Sequence, residues 1–299
     1  MALNSSSDLV SREPFRVLAF LRNAFGPPTT DRVTLIEIPG DSVNNFAVDG
    51  LVAISRGSYR RIEQSGTYLS AMLAHELAHL WWGDLVNPVG PGARWLTEGF
   101  AEYSRYLYER ATGGESLAWS YRNLVMVRQF AGREPPPLAG NPAEGEDEAI
   151  YYQKGAFVLR MLAGEIGDDA LVAAMRRLAE RRRGQTATLD DFVAAVGVDR
   201  LNWFFDQWPR RPTGPRLRLS VSTAEARGDS VVVRGMIEQA MPAYRLSLPL
   251  VAYSTRDTSM QSIQVAGPRT AFTLRLTRRP GWRLVVDPDG TVFQWFTRE

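Results

Sequence analysis

Residues 73–84 read LAHELAHLWWGD, and this stretch holds both histidines of the 299-residue chain, four positions apart with Glu76 directly after the first. In an α-helix residues i and i+4 lie one turn apart on the same face, so His75 and His79 can aim their imidazole nitrogens at one point. That is how two ligands grip one zinc ion, and Glu76 stands where a general base reaches a water at such a metal. Leu73, Leu77, Leu80 and Trp81 give the stretch an apolar setting, which lowers the local dielectric and strengthens metal binding. The alternative is two histidines satisfied by hydrogen bonds within a buried helix. Two histidines scattered at random over such a chain fall four apart roughly once in 150 placements, which favours the metal reading before the glutamate is counted.

A catalytic zinc site takes three protein ligands and keeps a fourth position open. Glu98, in RWLTEGFAEYSRYLYER at 94–110, is a candidate third ligand, separated from His79 by eighteen residues. A further stretch, YYQKGAFVLRML at 151–162, holds Lys154, the only lysine among 35 basic residues. A position that stays lysine while every other basic position is arginine is one that arginine does not fit.

With 44% hydrophobic and 23% charged residues the chain is globular and long enough for two domains with their own cores, which excludes disordered and fibrous classes. The net charge is only +2, and the arginine runs at 176–177, 181–183 and 210–211 read as solvated faces rather than a nucleic-acid surface. There is no cysteine, hence no disulfide or thiol chemistry, and the redox compartment stays open. No apolar run approaches the roughly 18 residues of a membrane span. Residues 1–11 lack the basic start and apolar stretch of a signal peptide, so localisation rests on other grounds.

Along the chain, REPFRVLAFLRNAF at 12–25 puts Phe15, Leu18, Leu21 and Phe25 at three- and four-residue steps and predicts an amphipathic helix. Two strands follow, RVTLIEI at 32–38 and GLVAIS at 50–55, with a polar loop at 39–49 between them. Helical patterns dominate from about 68 to 208, at 67–83, 96–111, 116–131, 147–167, 168–182 and 188–197. The prolines and glycine of QWPRRPTGPRLRL break them, and alternation takes over, with Tyr244, Leu246, Leu248 and Leu250 on one face. Pro249 inside that run predicts an edge strand, and Asp289-Gly290 a hairpin turn. The expected architecture is α+β, a mainly helical domain at 1–213 followed by a small antiparallel β-sandwich at 214–299.

The pair HELAHLWWGD and WLTEGFAEY resembles the aminopeptidase N family of zinc metallopeptidases, whose pattern is H-E-x-x-H, eighteen residues, then a glutamate within W-L-N-E-G-F-A. YYQKGAFVLRML resembles the Y-x-K-G-A segment of the same family. The resemblance covers about residues 15–213 and extends weakly beyond. It implies a thermolysin-like catalytic domain of the gluzincin type, an immunoglobulin-like β-sandwich after it, and peptides as substrates. It further implies one Zn2+ per chain on His75, His79 and Glu98, with Glu76 as general base and Tyr152 as stabiliser of the tetrahedral intermediate. Spacing to Lys154 selects Tyr152 over the adjacent Tyr151, and Lys154, Asp84 and Glu102 belong to the supporting motifs. Resemblance and arginine usage together point to a bacterial enzyme from an exported or membrane-anchored parent.

Exopeptidases of that family carry G-x-M-E-N before the H-E-x-x-H helix, and its glutamate holds the free amino group of the substrate. Aligned on Gly50-Leu51 this chain reads NNFAVDGL and places Ala47 at that glutamate. Asp49, two residues on, faces the same side of an extended strand and offers a displaced carboxylate; an ordinary loop aspartate is the other reading. The family's large first β-domain and helical last domain are not in this sequence, which makes the chain a compact variant or part of a longer protein. The expected function is zinc-dependent peptide hydrolysis, aminopeptidase-like with altered recognition of the N-terminus. Endopeptidase-like cleavage in a wider cleft and a zinc-containing binding module without turnover are the alternatives; retention of Glu76 and Tyr152 speaks against the second. Epoxide hydrolysis, found in one branch of the family, relies on residues of the missing helical domain.

Overall fold

The structure, a computed structural model, describes residues 6–30, 32–41, 45–64, 66–113, 134–140 and 149–295. The fold is α+β, and the chain divides into two compact units after Pro212. No helix among the described residues is long and apolar enough to cross a membrane.

The first unit opens with α1 (Ser6–Phe25), β1 (Thr34–Ile38), β2 (Asn45–Val48), β3 (Leu51–Ser55), α2 (Arg56–Gln64) and α3 (Gly66–Ala78). After β4 (Val86–Pro88), a π-helical turn at Trp95–Gly99 runs straight into α4 (Phe100–Ala111). A second π turn, Ile150–Lys154, runs into the helix Gly155–Ile166, and the helices Asp168–Arg181, Leu189–Val196 and Asn202–Gln207 complete the unit. The short strand β5 (Gln185–Ala187) pairs in parallel with β4. The helix expected over 116–131 lies outside the described residues.

In α1 the buried stripe is Val17, Leu18, Leu21 and Phe25, whereas Phe15, expected on that face, is 73% exposed. At 3.6 residues per turn Phe15 lies past the edge of a stripe that runs through 14, 17–18, 21 and 25. Trp82 is the hub of the interior, edge-on to Phe25 (5.1 Å) and to Phe100 (5.1 Å), with Phe192 against Phe100 (4.8 Å). This aromatic cluster packs α1, the turn that follows α3, α4 and the helix Leu189–Val196 together. Arg176 and Arg177 are half-buried rather than freely solvated: their Nε atoms donate to the carbonyls of Ala24 (2.9 Å) and Ala195 (3.0 Å). Helix C-termini leave such carbonyls without intrahelical donors, and a guanidinium supplies them.

The stretch 39–49, expected as a loop, contains β2, which runs antiparallel to β3, while β1 runs parallel to β3 on its other side. Asp49 and Gly50, both left-handed (φ 49° and 79°), join the paired residues Val48 and Leu51. A two-residue turn with both φ positive matches the twist of a hairpin and is what Asp-Gly favours. Only glycine fits the second place, since a Cβ on Gly50 would stand 2.4 Å from the Arg32 carbonyl oxygen.

The second unit holds β6 (Leu217–Arg227), β7 (Ser230–Gln239), β8 (Leu246–Tyr253), β9 (Thr258–Val265), β10 (Arg269–Thr277) and β11 (Arg283–Val286). They form two three-stranded antiparallel sheets ordered β10-β7-β6 and β11-β8-β9. Tyr244, Leu246, Leu248 and Leu250 are buried, as their alternation predicts. The strand β8 is central rather than an edge, so the inference from Pro249 fails. Its carbonyl accepts from Asp287 N–H (2.7 Å), one residue past the end of β11, so the missing proline N–H faces the point where the neighbouring strand has stopped. Asp289-Gly290 does not make a hairpin either, because no strand follows β11 among the described residues. Asp287 curls the chain there instead, its carboxylate accepting from Thr291 N–H (2.7 Å) and Val292 N–H (2.8 Å).

Candidate functional site

The helix α3 ends at Ala78, and the His79 N–H bonds three residues back to the Glu76 carbonyl (3.3 Å), so the last turn is tightened. The imidazoles of His75 and His79 still meet, edge to face, with centroids 5.1 Å apart and planes at 82°. Both Nε2 atoms converge on one carboxylate oxygen, Glu98 Oε2, at 3.5 Å from His75 and 3.6 Å from His79. Each Nδ1 lies against an oxygen on the far side: Glu102 Oε2 at 3.2 Å for His75 and the Trp82 carbonyl at 3.1 Å for His79. A ring whose Nδ1 donates its hydrogen presents an Nε2 lone pair, the arrangement of a metal-ligating histidine.

These three side chains could hold a metal ion, with one ligand atom from each lying within 4.8 Å of the others. A direct sign supports the fit. Glu98 Oε2 is buried and has no hydrogen-bond partner among the described residues. A buried carboxylate oxygen left unpartnered is costly, and a cation at the convergence point would be its partner. Two imidazole nitrogens and a carboxylate oxygen form a donor set suited to a divalent transition metal.

The electrostatics follow from burial and close packing. Burial pushes the Glu76 carboxyl up to about 7, with His75 opposing and Glu98 adding to the shift. For Glu98, burial also works against the charge, but His75, His79 and the hydrogen bond from Tyr152 outweigh it and hold the carboxyl below its usual range. Burial opposes the charged His75 ring, yet Glu102 and Glu98 raise its pKa, while burial and then the neighbouring His75 lower that of His79.

Glu98 and Tyr152 each ride on one of the two π turns. Those turns touch backbone to backbone through glycines. A Cβ on Gly99 would stand 2.5 Å from Trp95 Cδ1 and 3.1 Å from the Tyr151 carbonyl oxygen; one on Gly155 would stand 2.8 Å from Trp95 Cδ1. Trp95 Nε1 locks the crossing by donating to the Gly155 carbonyl (3.0 Å). The outcome is that Tyr152 stacks on His75, with ring centroids 5.3 Å apart and planes 13° from parallel. Tyr151 points into the core and is fully buried. Lys154 is fully buried too, and it faces away from the site, donating from Nζ to the carbonyls of Arg211 (2.5 Å) and Pro212 (3.0 Å). Gly99, Gly155 and Trp95 were not singled out by sequence reasoning, although a glycine inside a helical pattern is a signal of close packing.

A cavity of about 440 Å³ opens over the trio, lined also by Glu76, Glu102, Arg105, Tyr152, Ala47 and Asp84. Glu102 holds His75 on one side and lies 3.4 Å from Arg105 Nη1 on the other. Ala47 is at the cavity wall, but Asp49 is exposed and does not line it. The left-handed Asp49 stands outside β2, so strand alternation does not carry it to the face of Ala47. Its N–H donates instead to Asp84 Oδ2 (3.0 Å).

The sequence profile of the Peptidase family M1 domain matches residues 57–208. An aminopeptidase N of Streptomyces lividans is 27% identical over 189 residues, 58% of this chain and 22% of the relative. An aminopeptidase N of Lactococcus lactis subsp. lactis is 31% identical over 183 residues, 57% of this chain and 21% of the relative. The chain thus spans about a fifth of the length of these relatives. The crystal structure of Legionella pneumophila aminopeptidase A in complex with aspartic acid superposes with a TM-score of 0.73 over 98% of this chain and 35% of that one, at 15% identity, a likeness of fold. A profile match across residues 57–208, half of the chain, shows that it belongs to peptidase family M1.

Proposed function

We propose that the chain is a zinc-dependent peptide hydrolase, aminopeptidase-like, with altered recognition of the substrate N-terminus. The carrying observation is the convergence of His75 Nε2 and His79 Nε2 on the unpartnered Glu98 Oε2 beside Glu76. In this reading the first unit is a thermolysin-like catalytic domain, and the two sheets of the second make an immunoglobulin-like sandwich. The relatives named aminopeptidase N support the substrate class, peptides.

His75, His79 and Glu98 would hold one zinc ion. When bound, zinc supplies Lewis acidity, which makes water a nucleophile near neutral pH and polarises a carbonyl. Glu76 accepts the proton of the attacking water, a task suited to a carboxyl whose burial brings its pKa to about 7. It then returns that proton to the leaving amine as the C–N bond breaks. Tyr152, half-buried at the cavity, donates its hydroxyl hydrogen to the oxyanion of the tetrahedral intermediate. Glu102 keeps His75 in the tautomer that presents Nε2. Glu76 and Tyr152 serve turnover rather than metal holding, which favours an enzyme over a silent binding module.

Ala47 at the cavity wall offers no charge for a free amino group, which also favours a second reading, endopeptidase-like cleavage at the same centre. The test is removal and return of metal. Stripping zinc with a chelator should abolish hydrolysis of a peptide library, and one equivalent of zinc should restore it; cleavage undiminished by chelation refutes the proposal.

A further inference from the structure

We propose that Lys154 is a positioning residue for hydrolysis: its amine clamps the π turn that carries Tyr152 to the chain at Arg211 and Pro212, and so fixes where the Tyr152 hydroxyl points. This role rests on the peptide-hydrolase reading above, in which Tyr152 is the oxyanion donor.

The turn Ile150–Lys154 sends two side chains to opposite sides. Residues two apart in a helical turn lie about half a turn around its axis, so Tyr152 meets the cavity while Lys154 enters the interior. There the Lys154 Nζ donates to the carbonyls of Arg211 (2.5 Å) and Pro212 (3.0 Å), 57 and 58 positions along the chain. These acceptors follow the helix Asn202–Gln207, and the Arg211 N–H is itself bonded to the Gln207 carbonyl (3.1 Å), so they stand on a fixed base. The arrangement suits an amine. A lysine head is a compact donor that can aim two N–H at adjacent carbonyls, whereas a planar guanidinium spreads five over a wider fork. That difference accounts for the one lysine of the chain standing here. Burial lowers its pKa to about 7, and the neutral amine still keeps two N–H for the two carbonyls.

Stability alone does not account for such a group. Taking an amine out of water is costly, and an apolar side chain of similar length avoids that cost. What the amine adds is a fixed position. Toward Glu98 the turn is already located by Gly155 against Gly99 and by the bond from Trp95 Nε1 to the Gly155 carbonyl (3.0 Å). Lys154 ties it in a second direction, toward Arg211 and Pro212. A turn tied in two directions cannot swivel. The Tyr152 ring is thereby held stacked on His75, 5.3 Å between centroids, with its hydroxyl in hydrogen-bond reach of Glu98. A shift of about 1 Å in a group that must meet the reacting atoms costs about 100-fold in rate, so the clamp acts on turnover through Tyr152.

The test is a double-mutant cycle on the zinc-loaded protein, read as steady-state kinetics on a peptide that wild type cleaves. Lys154→Met should lower kcat about 10- to 100-fold, with KM and zinc affinity near wild type. In a Tyr152→Phe background the same change should cost nothing further, because the hydroxyl it positions is gone. An unchanged kcat, an equal loss in both backgrounds, or a loss of zinc together with activity overturns the proposal. If Lys154→Met does not fold, Lys154→Gln, whose shorter side chain falls short of the two carbonyls, must give the same pattern. A readout independent of turnover separates this role from the hydrolytic reading: fluorine NMR of the metal-free protein with 3-fluorotyrosine in place of Tyr152. One narrow line in wild type that shifts or splits in Lys154→Met supports the clamp even if no peptide is cut. Superimposable spectra refute it even if peptides are cut.

Discussion

Gly155 stands against Gly99 so closely that a Cβ on the former would lie 3.1 Å from the Cα of the latter. This crossing of two π turns holds the peptide units that carry Glu98 and Tyr152 side by side. Gly155→Ala should therefore act on stability and site together. Overpacking of this kind costs about 1–3 kcal/mol, and the displaced turns should lower metal occupancy. Calorimetric melting and metal analysis of the variant check this; an unchanged Tm with full occupancy would mean that the glycines are incidental.

Much of the site is legible in the sequence because it is carried by spacing within helices. His75 and His79 come together through a single helical turn, and Tyr152 is set apart from Tyr151 by its distance from Lys154. What brings Glu98 and Tyr152 to the histidines is not legible, because π turns leave no period of their own and the Trp95–Gly155 lock joins residues 60 positions apart. The reading of Asp49 as an ordinary exposed aspartate matches its place in a hairpin turn that breaks strand alternation, and the same turn hid β2 inside an apparent loop. Pro249 misled because a sheet can end beside a central strand, which only strand order reveals.

Glu102 touches His75 on the side away from the trio. Glu102→Gln retains size but weakens the hydrogen bond that orients the ring. Zinc affinity should fall by about 10- to 100-fold, the usual effect of losing such an outer partner. Competition with a chromogenic chelator measures it, and an unaltered affinity would show that the contact does not tune the metal.

In the proposed mechanism Tyr152→Phe removes one oxyanion donor while leaving the ring stacked on His75. We expect kcat to fall about 100- to 1000-fold with KM little changed. Tyr151→Phe, in the core, should leave turnover near wild type. Steady-state kinetics of the two variants decide the matter, and the reverse pattern would exchange their roles.

Burial lowers the Lys154 pKa to about 7. An unfolded chain holds that proton up to a pH of about 10.4, so between these values the unfolded state binds more protons than the folded one and stability rises with pH. Below pH 7 the ammonium is charged in both states and the cost of burying it is present in full. The unfolding free energy of wild type minus that of Lys154→Met should thus increase from pH 7 to 9, with a slope approaching about 1.4 kcal/mol per pH unit. Urea titrations at three pH values test it. A flat difference would show that the carbonyls of Arg211 and Pro212 keep the amine protonated.

The most direct test of the central claim is the product profile of a mixed peptide library treated with the wild-type protein and with Glu76→Gln, each brought to one zinc per chain and checked by metal analysis. Glutamine cannot take a proton from water, yet Glu76 is not among the three residues whose ligand atoms converge. Full zinc occupancy is expected in both proteins, with cleavage products from wild type and none from the variant. Cleavage by Glu76→Gln at the wild-type rate, or an intact library after treatment with zinc-loaded wild type, would contradict it.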